Sequence, residues 1–105
     1  MSMFGFMRAP DINEGVKECR STEGAVLLDV RTPEEYKEGH IPGCTSLPLQ
    51  EIQKAPEMFP DKDVPLFVYC LSGARSQRAA AFLSGMGYTN ARNIGGIDSW
   101  TGEIE

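Results

Sequence analysis

The chain has 105 residues, with ten Lys plus Arg against fifteen Asp plus Glu and a formal net charge of -5 at pH 7. That length suits one domain burying about two thirds of its extended-chain surface without covalent staples, and the acidic balance works against non-specific binding to nucleic acid or anionic membranes. Any anion must therefore be held locally, and Cys19, Cys44 and Cys70, an odd count without C-x-x-C spacing, argue against a disulfide framework or zinc knuckle and for reduced thiols.

The opening MSMFGFMR is interrupted by Ser2 and Gly5 and places Arg8 after its apolar part, so it does not read as a signal peptide. No run approaches the roughly 18 apolar residues of a spanning helix, and a soluble, cytoplasmic protein is expected. Asp11 and Glu14 have capping-box spacing, and Ile12, Val16 and Cys19 recur on one face, predicting a helix over 11–21 with Cys19 in the core. The apolar run AVLLDV predicts a strand over 25–30 covered on both faces, with Asp29 and Arg31 at its exit.

Thr32, Pro33, Glu34 and Glu35 supply an N-cap, a first-turn proline and a capping-box acid for a short helix that stops at Gly39. After the Ile41-Pro42-Gly43 turn, a short strand is expected over 44–47, ended by Pro48. The segment 49–59 reads as a weak helix broken at Pro56. The β-prone run 66–69 is the expected central strand, with Cys70 at its carboxyl end. A helix then begins near Arg75, carries Ala79, Ala80, Phe82, Leu83 and Met86 at helical spacing, and closes at Gly87. A strand over 92–94, ended by Gly95-Gly96, and a helical turn over 97–100 complete an α/β layer fold with a mainly parallel sheet. Ligands in such sheets bind at the carboxyl ends of the strands, where Cys70 stands.

The residues around Cys70 give a reason for a thiol at that edge. Residues 71–74 lack bulky branching, Gly73 permits a turn, and a helix starts directly afterwards, so amide hydrogens can converge on an anion. A helix dipole contributes about 0.3 to 1 kcal/mol at an exposed site, enough to lower a thiol pKa by up to about one pH unit, and loop hydrogen bonds and Arg75 add to it. The alternative is that Cys70 is a small hydrophobe ending a buried strand. Cys19 and Cys44 lack the loop setting and read as structural. His40, after a helix-ending glycine, reads as structural; Arg31 has Glu34 and Glu35 within reach for an ion pair; Ser76 reads as the cap of the loop's helix and Trp100 as core.

The stretches LLDVRTPEEYKEGHIPGCTSLPL, VYCLSGARS and NIGGIDSW, in this order and spacing, closely resemble the rhodanese family of single-domain sulfurtransferases. The resemblance covers nearly the whole chain from Ala25 to Trp100 and implies a five-stranded mainly parallel sheet with helices on both faces. It implies that Cys70 is the sulfur-carrying nucleophile, that Leu71, Ser72, Gly73, Ala74 and Arg75 form the loop around the bound sulfur, and that Asp29, Arg31, His40, Gly95-Gly96 and Trp100 are framework positions. Cys44 stands where the family usually has alanine. The implied reaction takes sulfane sulfur from thiosulfate or a related donor, through a Cys70 persulfide, to cyanide, a thiol or a sulfur-carrier protein, with no metal or organic cofactor and no nucleic-acid or membrane partner.

Two other functions share this frame. Cysteine-dependent phosphatases resemble the pattern with a longer loop; only four residues separate Cys70 from Arg75, a cradle better suited to sulfur than to a phosphoryl group. A non-catalytic docking module is the other, and the retained Cys70 counts against it. For Arg75 two roles stand open: recruiting an anionic donor, or pairing with a carboxylate such as Asp29 to hold the loop closed.

Overall fold

The computed structural model describes residues 10–105, so the reading of MSMFGFMR falls outside the described residues. The elements in chain order are α1 (Ile12–Arg20), β1 (Val26–Asp29), α2 (Pro33–Glu38), β2 (Thr45–Ser46), a 3-10 helix (Leu49–Lys54), α3 (Ala55–Met58), β3 (Leu66–Cys70), α4 (Ala74–Gly85), β4 (Ala91–Gly96) and a 3-10 turn (Ile97–Ser99). The strands pair in parallel in the order β2-β1-β3-β4. The expected five strands are thus four among the described residues, with the two-residue β2 as one edge and β4 as the other.

Alternation along the central strands explains why helices cover both faces. Leu27, Phe67 and Tyr69 point to one side and pack with Ile12, Val16 and Cys19 of α1. Leu28, Leu66, Val68 and Cys70 point to the other and pack with Ala79 and Leu83 of α4 and with Ile52 and Ala55. Each fully buried large aliphatic or aromatic side chain contributes roughly 1.5–3 kcal/mol, so these two clusters carry the fold. Phe82 lies outside them: it is 51% exposed, and the buried stripe of α4 is narrower than the spacing of its apolar residues suggests.

Local signals set most element ends. Asp11 caps α1 by accepting the Asn13 N–H at 3.0 Å, and Thr32 with Glu35 forms the expected capping box of α2. The 49–59 segment differs from expectation: its non-helical break is at Glu51, while Pro56 sits in the first turn of α3, where a missing N–H costs nothing. The last strand also differs, because it continues through Gly95 and Gly96 instead of ending before them. Its register slips opposite Val68 and Tyr69, so that Gly95 pairs with Tyr69 and Gly96 with Cys70. That slip brings bare backbone beside the cysteine loop.

Candidate active site

Cys70 ends β3 and is 1% exposed, so it is both a core residue and the base of the loop that follows. The loop turns at Gly73, whose φ of 103° lies in the left-handed region that favours glycine, and α4 starts at Ala74. The turn brings the Gly73 N–H to 3.0 Å and the Ser76 N–H to 3.4 Å from Cys70 Sγ, with Ser76 Oγ also at 3.4 Å. Among the described residues the amides of Ala74 and Arg75 have no protein acceptor, leaving two further donors at the start of the helix. Burial pushes the Cys70 thiol up, but hydrogen bonds from Ser76, Gly73 and Ser72 outweigh it and leave the thiol pKa below its ordinary value.

The loop rests on β4. A Cβ at Gly96 would stand 2.1 Å from the Leu71 carbonyl oxygen, so only glycine lets the two backbones approach this closely. The Asp98 N–H donates to that same Leu71 oxygen at 3.1 Å, and Asn93 Nδ2 donates to the Gly73 oxygen at 3.2 Å. Leu71, Ser72 and Ala74 lie exposed on the rim.

Arg75 closes the loop from the other side. Its Nη1 and Nη2 meet Glu35 Oε1 and Oε2 at 2.7 and 2.9 Å, a bidentate pair with α2. The carboxylate partner is therefore Glu35, not Asp29. Glu35 Oε1 simultaneously accepts the Thr32 N–H at 3.0 Å, so one carboxylate serves the helix cap and the loop. Its pKa is lowered to about 2, first by the Arg75 hydrogen bond and then, against a smaller cost of burial, by Thr32.

Asp29 belongs to Arg31 instead. Arg31 Nη2 meets Asp29 Oδ2 at 2.7 Å in a buried pair and also donates to the Gly39 oxygen at 2.7 Å, while Tyr69 donates its hydroxyl proton to Asp29 Oδ2 at 2.8 Å. The expected partnership of Arg31 with Glu34 or Glu35 does not form, because the strand exit folds Arg31 back over Asp29 and Glu35 is held by Arg75. Ser76 does not cap α4 either: Gly73 occupies the cap position, and buried Ser76 donates to Asn93 Oδ1 at 2.6 Å. His40 stacks on Tyr36 at 3.8 Å and approaches Glu105, and Trp100 is half-buried against the α1-side cluster, donating to the Glu103 oxygen.

Asn93 and Glu35 are the residues whose part in the site the sequence reading missed. Both carried a signal: Asn93 opens the NIGG stretch, and Glu35 was legible as a capping acid. A groove of about 600 Å³ that meets the loop only at Arg75 is lined by Arg75, Arg78, Leu49, Phe82 and Met86, which places positive charge locally in an acidic chain.

A family model, the Rhodanese-like domain, matches residues 13–103. The thiosulfate sulfurtransferase PspE of Escherichia coli K12 is 41% identical over 71 residues, 67% of this chain and 68% of that protein. Among solved structures, a rhodanese with anions from E. coli superposes with a TM-score of 0.71 at 35% identity, covering 77% of this chain and 96% of that one. The human single-domain sulfurtransferase TSTD1 superposes with a TM-score of 0.74 at 29% identity, covering 89% and 96%. With its four parallel strands, helices on both faces and a cysteine loop at the strand ends, the chain belongs to the rhodanese-like domain family.

Proposed function

We propose that the protein is a thiosulfate sulfurtransferase that carries sulfane sulfur on Cys70. The observation that carries this reading is the convergence of the Gly73 and Ser76 amides on a Cys70 sulfur whose thiol pKa is lowered. The thiolate attacks the outer sulfur of thiosulfate; the new Cys70 S–S bond forms as the thiosulfate S–S bond breaks, and sulfite leaves with the electron pair. An acceptor nucleophile, cyanide in an assay or a thiol or sulfur-carrier protein in the cell, then attacks the outer sulfur and returns Cys70 as thiolate. The amides of Leu71, Ser72, Gly73, Ala74 and Arg75 stabilise the negative charge at each stage, without metal or organic cofactor.

In this reading Arg75 is a loop brace, since its guanidinium is occupied bidentately by Glu35; Arg78, which lines the same groove and forms no ion pair among the described residues, is the better recruiter of an anionic donor. The four-residue span from Cys70 to Arg75 favours a sulfur atom over a phosphoryl group. Cytoplasmic residence accords with three free thiols, and no described helix is long and apolar enough to cross a membrane.

Intact mass measured before and after thiosulfate treatment, with and without reductant, tests the reading. A reducible gain of one sulfur atom at Cys70 is expected. A folded protein that gains none, or that instead hydrolyses aryl phosphates through Cys70, overturns it.

A further inference from the structure

Ser76 has one hydroxyl proton and three acceptors within reach: Asn93 Oδ1 at 2.6 Å, Cys70 Sγ at 3.4 Å and the Gly95 oxygen at 3.4 Å. The proton can serve only one of them well. Asn93 holds a defined orientation, because its Nδ2 donates to the Gly73 oxygen at 3.2 Å while its Oδ1 accepts the Gly95 N–H at 3.0 Å. Its oxygen is thus aimed at Ser76 by the backbone of the cysteine loop and of β4, and the 2.6 Å separation makes it the preferred acceptor while Cys70 is neutral. When Cys70 is a thiolate, a charge-assisted bond competes for the same proton. Once sulfur is bound, the negative charge sits one atom further out, Cys70 Sγ is neutral again, and the proton returns to Asn93.

We propose that Asn93 is a positioning residue for Cys70, acting through Ser76: its side-chain oxygen competes with the Cys70 sulfur for the single Ser76 hydroxyl proton and so sets how strongly that sulfur is solvated in each state. Asn93 makes no contact with the sulfur itself in this scheme. The charged groups around the loop are Arg75 at its end, Arg78 one turn further along α4, Glu35 clasping it, the buried pair of Asp29 at the end of β1 with Arg31, Asp98 following β4, and Asp11 of the α1 cap, which lines a cavity with Ser72 and Gly73. Substitutions at 76 and 93 leave all of them in place. The assignment gains its purpose from the reading of Cys70 as nucleophile, but its test needs no sulfur donor.

The test is the pH dependence of iodoacetamide alkylation, read at the Cys70 peptide by mass, in the wild type, Asn93→Ala, Ser76→Ala and the double variant. Freeing the Ser76 proton in Asn93→Ala lowers the pH of half-ionisation by about half a pH unit, and Ser76→Ala raises it by about as much. The double variant matches Ser76→Ala alone. A merely structural Asn93 predicts the opposite for Asn93→Ala, a rise as the amide cradle loosens, and that result overturns the proposal. An Asn93→Ala effect of the same size with and without Ser76 overturns it too. If Asn93→Ala does not fold, Asn93→Asp keeps the Oδ1 acceptor, replaces the Nδ2 donor to the Gly73 oxygen by a second acceptor, and as a carboxylate holds the Ser76 proton more tightly. Half-ionisation then rises more in the presence of Ser76 than in its absence, whereas an equal rise in both backgrounds is simple charge repulsion and refutes the relay. A Cys70 that takes up no sulfur yet shows these shifts sinks the transfer reading and leaves this one standing.

Discussion

Cys44, partly buried just before β2, and Cys70, buried at the carboxyl end of β3, sit in environments that push the two thiols in opposite directions. Burial raises the Cys44 pKa, one hydroxyl from Tyr69 at 3.5 Å opposes it, and the nearby Asp29 charge adds to the rise. At Cys70 the burial penalty is also the largest influence, but donors from Ser76, Gly73 and Ser72 overturn it. Cys19, raised by burial against the weaker pull of Arg20 and Arg92, falls with Cys44. The direction of each thiol's pKa shift here follows the number and aim of its donors, not depth alone.

The contrast breaks most completely with Cys70→Ser, which keeps the fold and abolishes sulfur uptake by intact mass; sulfur found on Cys19 or Cys44 of an active wild type would show the assignment to be wrong. Gly96→Ala removes what distinguishes the two thiols without touching either. Its Cβ has no room against the Leu71 oxygen, so the loop must shift, at a cost of about 1–3 kcal/mol in stability and about 100-fold in transfer rate. Alkylation of Cys70 in that variant should take on the higher half-ionisation pH of Cys44, and an unchanged profile would mean the loop tolerates the side chain.

A smaller effect separates the brace from the thiol. Glu35 has its folded pKa at about 2, below the roughly 4.3 of an unfolded glutamate, so its contribution is fully present above the unfolded value and is lost as pH falls toward the folded one. The pair is partly solvated, which limits the contribution to about 1 kcal/mol or less. Urea titrations from pH 5 down to about pH 2 should show wild type losing more stability than Glu35→Gln. Arg75→Ala should slow loading and discharge of Cys70 together; a rise in the apparent KM for thiosulfate alone would restore Arg75 as a recruiter. The smallest change is expected of Cys44→Ala, which should retain transfer activity and alter stability by no more than about 1 kcal/mol. Loss of activity in a folded Cys44→Ala would make Cys44 a participant.

Much of this is legible in the sequence. Thr32, Pro33 and Glu35 announce α2, the burial of every residue from 66 to 70 follows from a short, wholly apolar β-prone run, and Gly73 marks the turn after Cys70. What escaped was long-range. Nothing local tells Glu35 to reach Arg75, 40 positions away, or Ser76 to turn toward Asn93, 17 positions on. Gly95-Gly96 reads locally as a strand terminator, and only pairing with Tyr69 and Cys70 makes it part of the strand. The fourfold sheet likewise depends on which runs find partners.

The placement of β4 has a consequence for biosynthesis. It follows Cys70 in the chain, lies at the sheet edge, and supplies both the backbone that supports Leu71 and the Asn93 contacts to Gly73 and Ser76. A ribosome therefore delivers Cys70 before it delivers the wall against which the Cys70 loop closes. A nascent chain that has reached α4 but not residue 93 already contains the Gly73 and Ser76 donors to the Cys70 sulfur, but neither Asn93 nor the β4 backbone on which their loop rests. The support of the Cys70 loop is thus completed only when the final strand docks, so the last strand added to the sheet is the one that finishes the site proposed for sulfur.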